Sequence, residues 1–172
     1  MAKQALKFGL IAGAVMMAIG FLPVLWVGTS DLHCYEYGEA IGYTAMVLGL
    51  LSIVLAVRQY RDKELGGYIS FGQALGLGLL ISVVAALIFV IGDLLYVTQI
   101  EPDFLNNWVD CEVGKMEARN ASPEEIAEIE AFRTWSSAAL ETMMFVTVFS
   151  IGLVISLASA LLLQRKRPPE AV

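Results

Sequence analysis

The sequence holds one histidine, two cysteines and five prolines in 172 residues. One His and two Cys fall well short of a zinc ligand set, and two Cys do not make a disulfide miniprotein. Charge is scarce: Asp, Glu, Lys and Arg make up 16% of the chain, against about 25% in an ordinary soluble domain. What charge there is sums to -6, the wrong sign for a nucleic-acid binder, which carries a basic face. There is no HExxH, no CxxC, no Gly-rich phosphate loop and no Ser-nucleophile elbow, so the usual enzyme flags are missing. No catalytic residue, cofactor or metal is expected.

What fills the space is hydrocarbon. Apolar and aromatic residues reach 58%, with a mean hydropathy of +0.70, in a length that suits about one domain. A soluble core of that size does not need so much apolar surface, which argues against a soluble enzyme and a disordered chain. The composition is that of an integral membrane protein.

Four runs are long enough to cross a hydrocarbon core, which takes roughly 20 apolar residues in a helix. Phe8–Val27 is uncharged, as are Ile41–Val57 and Thr142–Gln164; Phe71–Gly92 is uncharged and continues past Asp93 to Val97. None alternates as a barrel strand would. The first run exceeds the 7–15-residue apolar stretch usual in a signal peptide, so it reads as a retained helix. Pro23 predicts a kink or early stop near its far end.

Lys and Arg orient the spans. Lys3, Lys7, Arg58, Arg61, Lys63, Arg165, Lys166 and Arg167 fall on one side; only Lys115, Arg119 and Arg133 fall on the other, among twelve acids. Both termini are therefore expected in the cytoplasm of a cell with an inner membrane. Loops 28–40 and 99–137 are expected outside. Arg58, Arg61, Lys63, Arg165, Lys166 and Arg167 read as basic anchors at the cytoplasmic face, with Gly66-Gly67 breaking the chain before it re-enters at Tyr68–Phe71. A site for anionic lipid or a partner is the other reading of that turn.

Loop 99–137 is too long for a passive connector. Phe104, Leu105, Trp108, Val109 and Val113 recur near helical spacing, predicting an amphipathic helix from Pro102 to about Arg119. Ser122-Pro-Glu-Glu is a helix start: a capping hydroxyl, a proline at the first position, and acids at the positive helix end. The second helix, 123–137, is expected to run on into span four. The expected architecture is a single all-α domain over 1–172. It is a four-transmembrane-helix bundle with spans at about 8–27, 41–57, 71–97 and 142–164 and an external helical hairpin at about 102–137.

Three carboxylates border the outer ends of spans: Glu39, Asp93 and Glu141. Ionisable groups in spans are functional candidates by default, at about 2.5–3.5 kcal/mol each at the bilayer centre and less toward the interface. Two readings stand: interfacial anchoring or helix–helix hydrogen bonding, and a proton, cation or substrate site. Asp93 lies about 7–8 Å inside the boundary at 1.5 Å rise per residue. It should point into the bundle and meet a donor on a neighbouring span, or else hold a proton. Cys34 and Cys111, both in outer loops, are a candidate disulfide, with two free thiols as the alternative. His33, Cys34, Glu36 and Glu39 make a weak metal pattern. Small residues four apart at Gly9/Gly13, Gly38/Gly42, Gly72/Gly76 and Ser156/Ala160 let helix backbones approach.

Several stretches are familiar: Ala5-Leu-Lys-Phe-Gly-Leu-Ile-Ala-Gly, Tyr37-Gly-Glu-Ala-Ile-Gly-Tyr-Thr-Ala-Met, Tyr60-Arg-Asp-Lys, Gly66-Gly-Tyr-Ile-Ser-Phe-Gly-Gln-Ala-Leu, Pro102-Asp-Phe and Ser156-Leu-Ala-Ser-Ala-Leu-Leu-Leu-Gln-Arg-Lys. Through them the chain resembles the bacterial membrane-protein family catalogued as domain of unknown function family 4199. The resemblance implies four membrane helices and brings no known activity, so no site residue carries over. Both cysteines lie outside the resembling stretches.

Two functions compete. One is a non-catalytic envelope protein that binds lipid or a membrane or periplasmic protein partner, alone or as a homo-oligomer. The other is a small transporter or channel component using Glu39, Asp93 and Glu141. Against the second, no paired broken helices mark an inverted repeat.

Overall fold

The structure, a computed structural model, describes residues 1–23, 34 and 36–165. Among these every regular element is helical. The helices are α1 (Ala2–Gly20), α2 (Gly38–Leu50), α3 (Ser52–Glu64), α4 (Phe71–Leu95), α5 (Phe104–Ala118), α6 (Pro123–Glu130) and α7 (Ser137–Leu163). Four helical stretches are long and apolar enough to cross a membrane: Ala2–Gly20, Gly38–Glu64, Phe71–Ile100 and Ser137–Leu163.

The boundaries depart from the sequence expectation in ways that have local causes. Helix α1 takes in Lys3 and Lys7 and stops at Gly20, three residues before Pro23. Proline disfavours helical backbone in the residue before it and supplies no N–H to continue the ladder. Residues 21–23 form a turn, and residues 24–27 of the expected 8–27 span lie outside the described residues. Helices α2 and α3 form one span with a joint at Leu51, whose N–H still reaches the Val47 carbonyl at 2.9 Å. The span runs past Val57 to Glu64 and so carries Arg58, Arg61 and Lys63 on helix. It ends where Gly66 and Gly67 take φ of 65° and 92°, which only glycine adopts cheaply. Ser70 then starts α4 with a reciprocal capping box to Gln73.

Beyond Leu95 the third span loosens into a π-turn, Tyr96–Ile100. The Ser122 start of α6 is made as its residues dictate: Ser122 Oγ accepts from Glu125 N–H, and the Glu125 carboxylate accepts from Ser122 N–H. The expected continuation of 123–137 into span four is overturned. After Glu130 the chain tightens into a 3-10 turn at Ala131–Thr134, and Trp135 is extended. Ser136 then caps a fresh helix by accepting from Ala139 N–H. A second capping hydroxyl thus separates α6 from α7.

Helix α4 is the centre of the bundle, packed against α1, α3 and α7. Its contacts are made through missing side chains. A Cβ built on Gly9 or Gly13 of α1 would press on Val84 or Ile88 of α4, at 2.5 and 2.7 Å from their Cβ atoms. The pairs advance together, so α1 and α4 run parallel. On the other face Gly78 meets Ser156 and Ser82 meets Gly152; these pairs run in opposite senses, so α7 is antiparallel to α4. In lipid, where no hydrophobic drive joins helices, such close approach is what supplies van der Waals contact. Of the small pairs expected from sequence, Gly42 and Gly72 face open space, while the Gly78/Ser82 and Gly152/Ser156 pairs that form the seam are not among those expected.

The two ends of the bundle differ. At one end the start of α4 is tied to the end of α7: Ile69 and Arg165 exchange backbone hydrogen bonds of 3.1 and 2.9 Å. Arg61, only 6% exposed, donates from a guanidinium nitrogen to the Leu163 carbonyl at 3.3 Å and pairs with Asp62 at 2.7 Å. The opposite end gathers Phe21, Tyr96 and helix α5.

Candidate functional site

Helix α5 packs against the bundle through an aromatic chain. The Phe21 ring meets Tyr96 edge-on at 5.1 Å, and Tyr96 meets Phe104 at 5.7 Å. Edge-to-face pairs at such spacing add to simple burial. The Tyr96 hydroxyl donates to Glu101 at 2.8 Å, and Asn107 donates to the other Glu101 oxygen at 3.3 Å. The turn between α4 and α5 is therefore fixed from both sides. Cys34 and Cys111 are joined, with Cα atoms 5.7 Å apart, which is ordinary disulfide spacing. The bond ties α5 to the segment preceding α2.

The 3-10 turn after α6 holds α5 from its other side. Trp108, Phe132 and Trp135 form a stack with centroids 5.6 and 4.6 Å apart. Arg133 donates to Glu130 at 2.6 Å, to the Asn106 carbonyl at 3.3 Å and to Asp110. The hydrogen bond from Arg133, helped by its charge, holds the Glu130 carboxyl below its ordinary value of 4.5.

Beneath this layer lies a cavity of about 530 Å³. All four spans and α5 contribute to its wall, through residues such as Met16, Met46, Phe89, Met144 and Trp108. Methionine and aromatic side chains make such a lining adaptable, since the thioether is flexible and polarisable. The charged groups in the wall are chiefly carboxylates: Glu36, Glu39, Asp93 and Glu112, with Lys115 as the one Lys or Arg among the lining residues described. Lys115 is already paired with Glu112 at 2.6 Å.

Of the three border carboxylates, Asp93 and Glu39 face this one cavity, Glu39 from an exposed position. Glu141 is not among the residues that line it. It is only 7% exposed, and neither carboxylate oxygen finds a hydrogen-bond partner among the described residues. The donor expected for Asp93 on a neighbouring span is not found among the described residues; the side chain meets a cavity instead. Sequence periodicity placed Asp93 in depth, but a void between helices leaves no periodic signal.

The remaining candidates scatter. Arg58 is exposed beside Asp62 at 3.9 Å, and Lys63 and Arg165 are exposed near the same end. Arg61, expected as a surface anchor, is instead buried as the clasp to Leu163. Lys166, Arg167 and His33 lie outside the described residues, and Cys34 is committed to its disulfide. No group of three or more metal-ligating side chains occurs among the described residues.

No curated protein and no solved structure matches the chain. The family described as protein of unknown function (DUF4199) matches it over residues 7–165. With four helices fit to cross a membrane and a match over nearly its whole length, the chain belongs to the DUF4199 family.

Proposed function

We propose that the protein is a non-catalytic membrane protein that holds a membrane-soluble amphiphile in the cavity at the acidic end of its bundle. The observation that carries this is the 530 Å³ cavity itself. It is walled by every span, mostly in hydrocarbon, with a few polar groups; binding sites for small molecules share that build. We place the protein in the cell inner membrane with both termini cytoplasmic, on the support of Lys and Arg collected at one end. Helices α5 and α6 then stand on the periplasmic side, open to a protein partner.

Gly42 lines the cavity, and a Cβ added there meets nothing within 4 Å. Gly42→Trp therefore starts an indole from a position whose first side-chain carbon meets no neighbour, and is the substitution chosen to occupy the cavity. In native mass spectrometry of protein released from its membranes, wild type should carry a bound amphiphile that Gly42→Trp has lost. Equal retention by the two would contradict the reading. Reporter fusions at the two termini test the orientation; a periplasmic signal from either contradicts it.

A second reading, cation or proton passage, is favoured by one observation: the buried Glu141 carboxyl, without a hydrogen-bond partner among the described residues, at the same end of the bundle as Asp93. Proteoliposomes should then show a flux that Glu141→Gln abolishes; no flux in wild type would exclude it.

A further inference from the structure

The charges in the cavity wall are lopsided. Lys115 is neutralised by Glu112 at 2.6 Å. That leaves Glu36 and Glu39 at exposed positions and Asp93 deeper in. Asp93 makes no hydrogen bond or ion pair with any described residue, and among those residues no cation stands against it in the bundle. At the same end of the bundle Glu141, 7% exposed, has two carboxylate oxygens without a hydrogen-bond partner among the described residues. An anionic headgroup placed here would meet carboxylates with no free cation among the described residues to receive it. A cation would meet a counter-charge in a low-dielectric wall, where Coulomb attraction is several-fold stronger than in water. Phe21, Tyr43, Phe89 and Trp108 stand in the same wall, and aromatic rings attract a cation through their faces.

Building on the cavity reading above, we propose that the occupant is a lipophilic organic cation, an amphiphilic amine or quaternary ammonium. Its charged group sits against Asp93 and its hydrocarbon among Met16, Met46, Phe89 and Met144. Glu36 and Glu39 at the rim attract the charge on entry, as clefts lined by one sign of charge do. The Met-rich wall adapts to the hydrocarbon, so selection rests on charge rather than on a fixed outline.

The test is equilibrium dialysis of the purified full chain in neutral detergent against two probes of one shape, tetraphenylphosphonium and tetraphenylborate. Wild type should bind the phosphonium at least tenfold more tightly than the borate. Asp93→Asn should cut phosphonium binding about tenfold, Asp93→Glu should keep the preference, and Gly42→Trp should block binding. Borate bound as tightly as phosphonium, or an Asp93→Asn protein that binds phosphonium like wild type, overturns the charge assignment. The wild-type comparison needs no variant, so a misfolded mutant cannot mask the outcome. If Gly42→Trp still displaces a native amphiphile while phosphonium fails to bind, the cavity reading survives and the cationic assignment falls. If no amphiphile is displaced either, both fall.

Discussion

Gly78 and Ser156 occupy one another's missing volume: a Cβ built on Gly78 would lie 2.7 Å from the Ser156 Cβ. The arrangement is reciprocal, since a Cβ on Gly152 would lie 2.6 Å from that of Ser82. Each serine turns its hydroxyl back to its own helix, Ser82 to the Gly78 carbonyl at 2.9 Å and Ser156 to the Gly152 carbonyl at 2.6 Å. Neither hydroxyl is left unpaired at the seam. Two helices that pack this tightly tolerate no added carbon.

Gly78→Val should therefore push α4 and α7 apart and destabilise the bundle by about 1–3 kcal/mol, the range for overpacked cores. Gly72→Ala is the control, because a Cβ there meets nothing within 4 Å. Thermal unfolding in detergent should show a lowered Tm for Gly78→Val and an unchanged or slightly raised Tm for Gly72→Ala, alanine being the better helix former.

The Cys34–Cys111 bond spans a sequence separation of 77. Closing a loop that long is worth up to about 4–5 kcal/mol on chain-entropy arithmetic, and less here because inserted spans already confine the unfolded chain. Cys34→Ser should lower Tm by several degrees while leaving the spans helical. In unreduced, denatured wild type no thiol should react with an alkylating reagent. Two reactive thiols would contradict the bond.

The contact between α5 and the turn after α6 should loosen in acid, modestly, because the ion pair is partly exposed. Arg133 holds the Glu130 carboxyl below 4.5, so the folded form favours the carboxylate. The stability this lends is present above 4.5 and is lost as pH falls through the lowered folded value. Arg133 keeps its charge throughout, so the change tracks the carboxyl. Trp108 and Trp135 flank Phe132 and report the contact by fluorescence in a Trp26→Phe background. Their emission should hold from about pH 7 to below 4.5 and shift only then; in Arg133→Gln it should be shifted at every pH.

Much of the bundle was legible because lipid imposes one rule on every span, a long uncharged run. Local caps were legible too: Ser122-Pro-Glu-Glu announces α6 in four residues. The Ser70–Gln73 box carried the same signal and could have been read from its spacing. What stayed hidden depends on distant partners. Arg61 looks like any other residue of a basic turn, and its burial follows from a carbonyl at Leu163, 102 residues away. Gly78 and Gly152 sit in continuous apolar runs, and only the antiparallel pairing of α4 with α7 sets each against a serine. Asp93 was legible as an acid within a span, yet the cavity beside it arises from the shapes of five helices together.

The most direct test of the cavity is photo-cross-linking in native membranes with a diazirine-bearing alkyl amine, mapped by peptide mass spectrometry. Label should fall on cavity residues such as Met144 and Trp108 and should vanish from them in Gly42→Trp. Label confined to outward-facing residues such as Val154, Leu161 and Leu162, and indifferent to Gly42→Trp, would contradict a bound amphiphile.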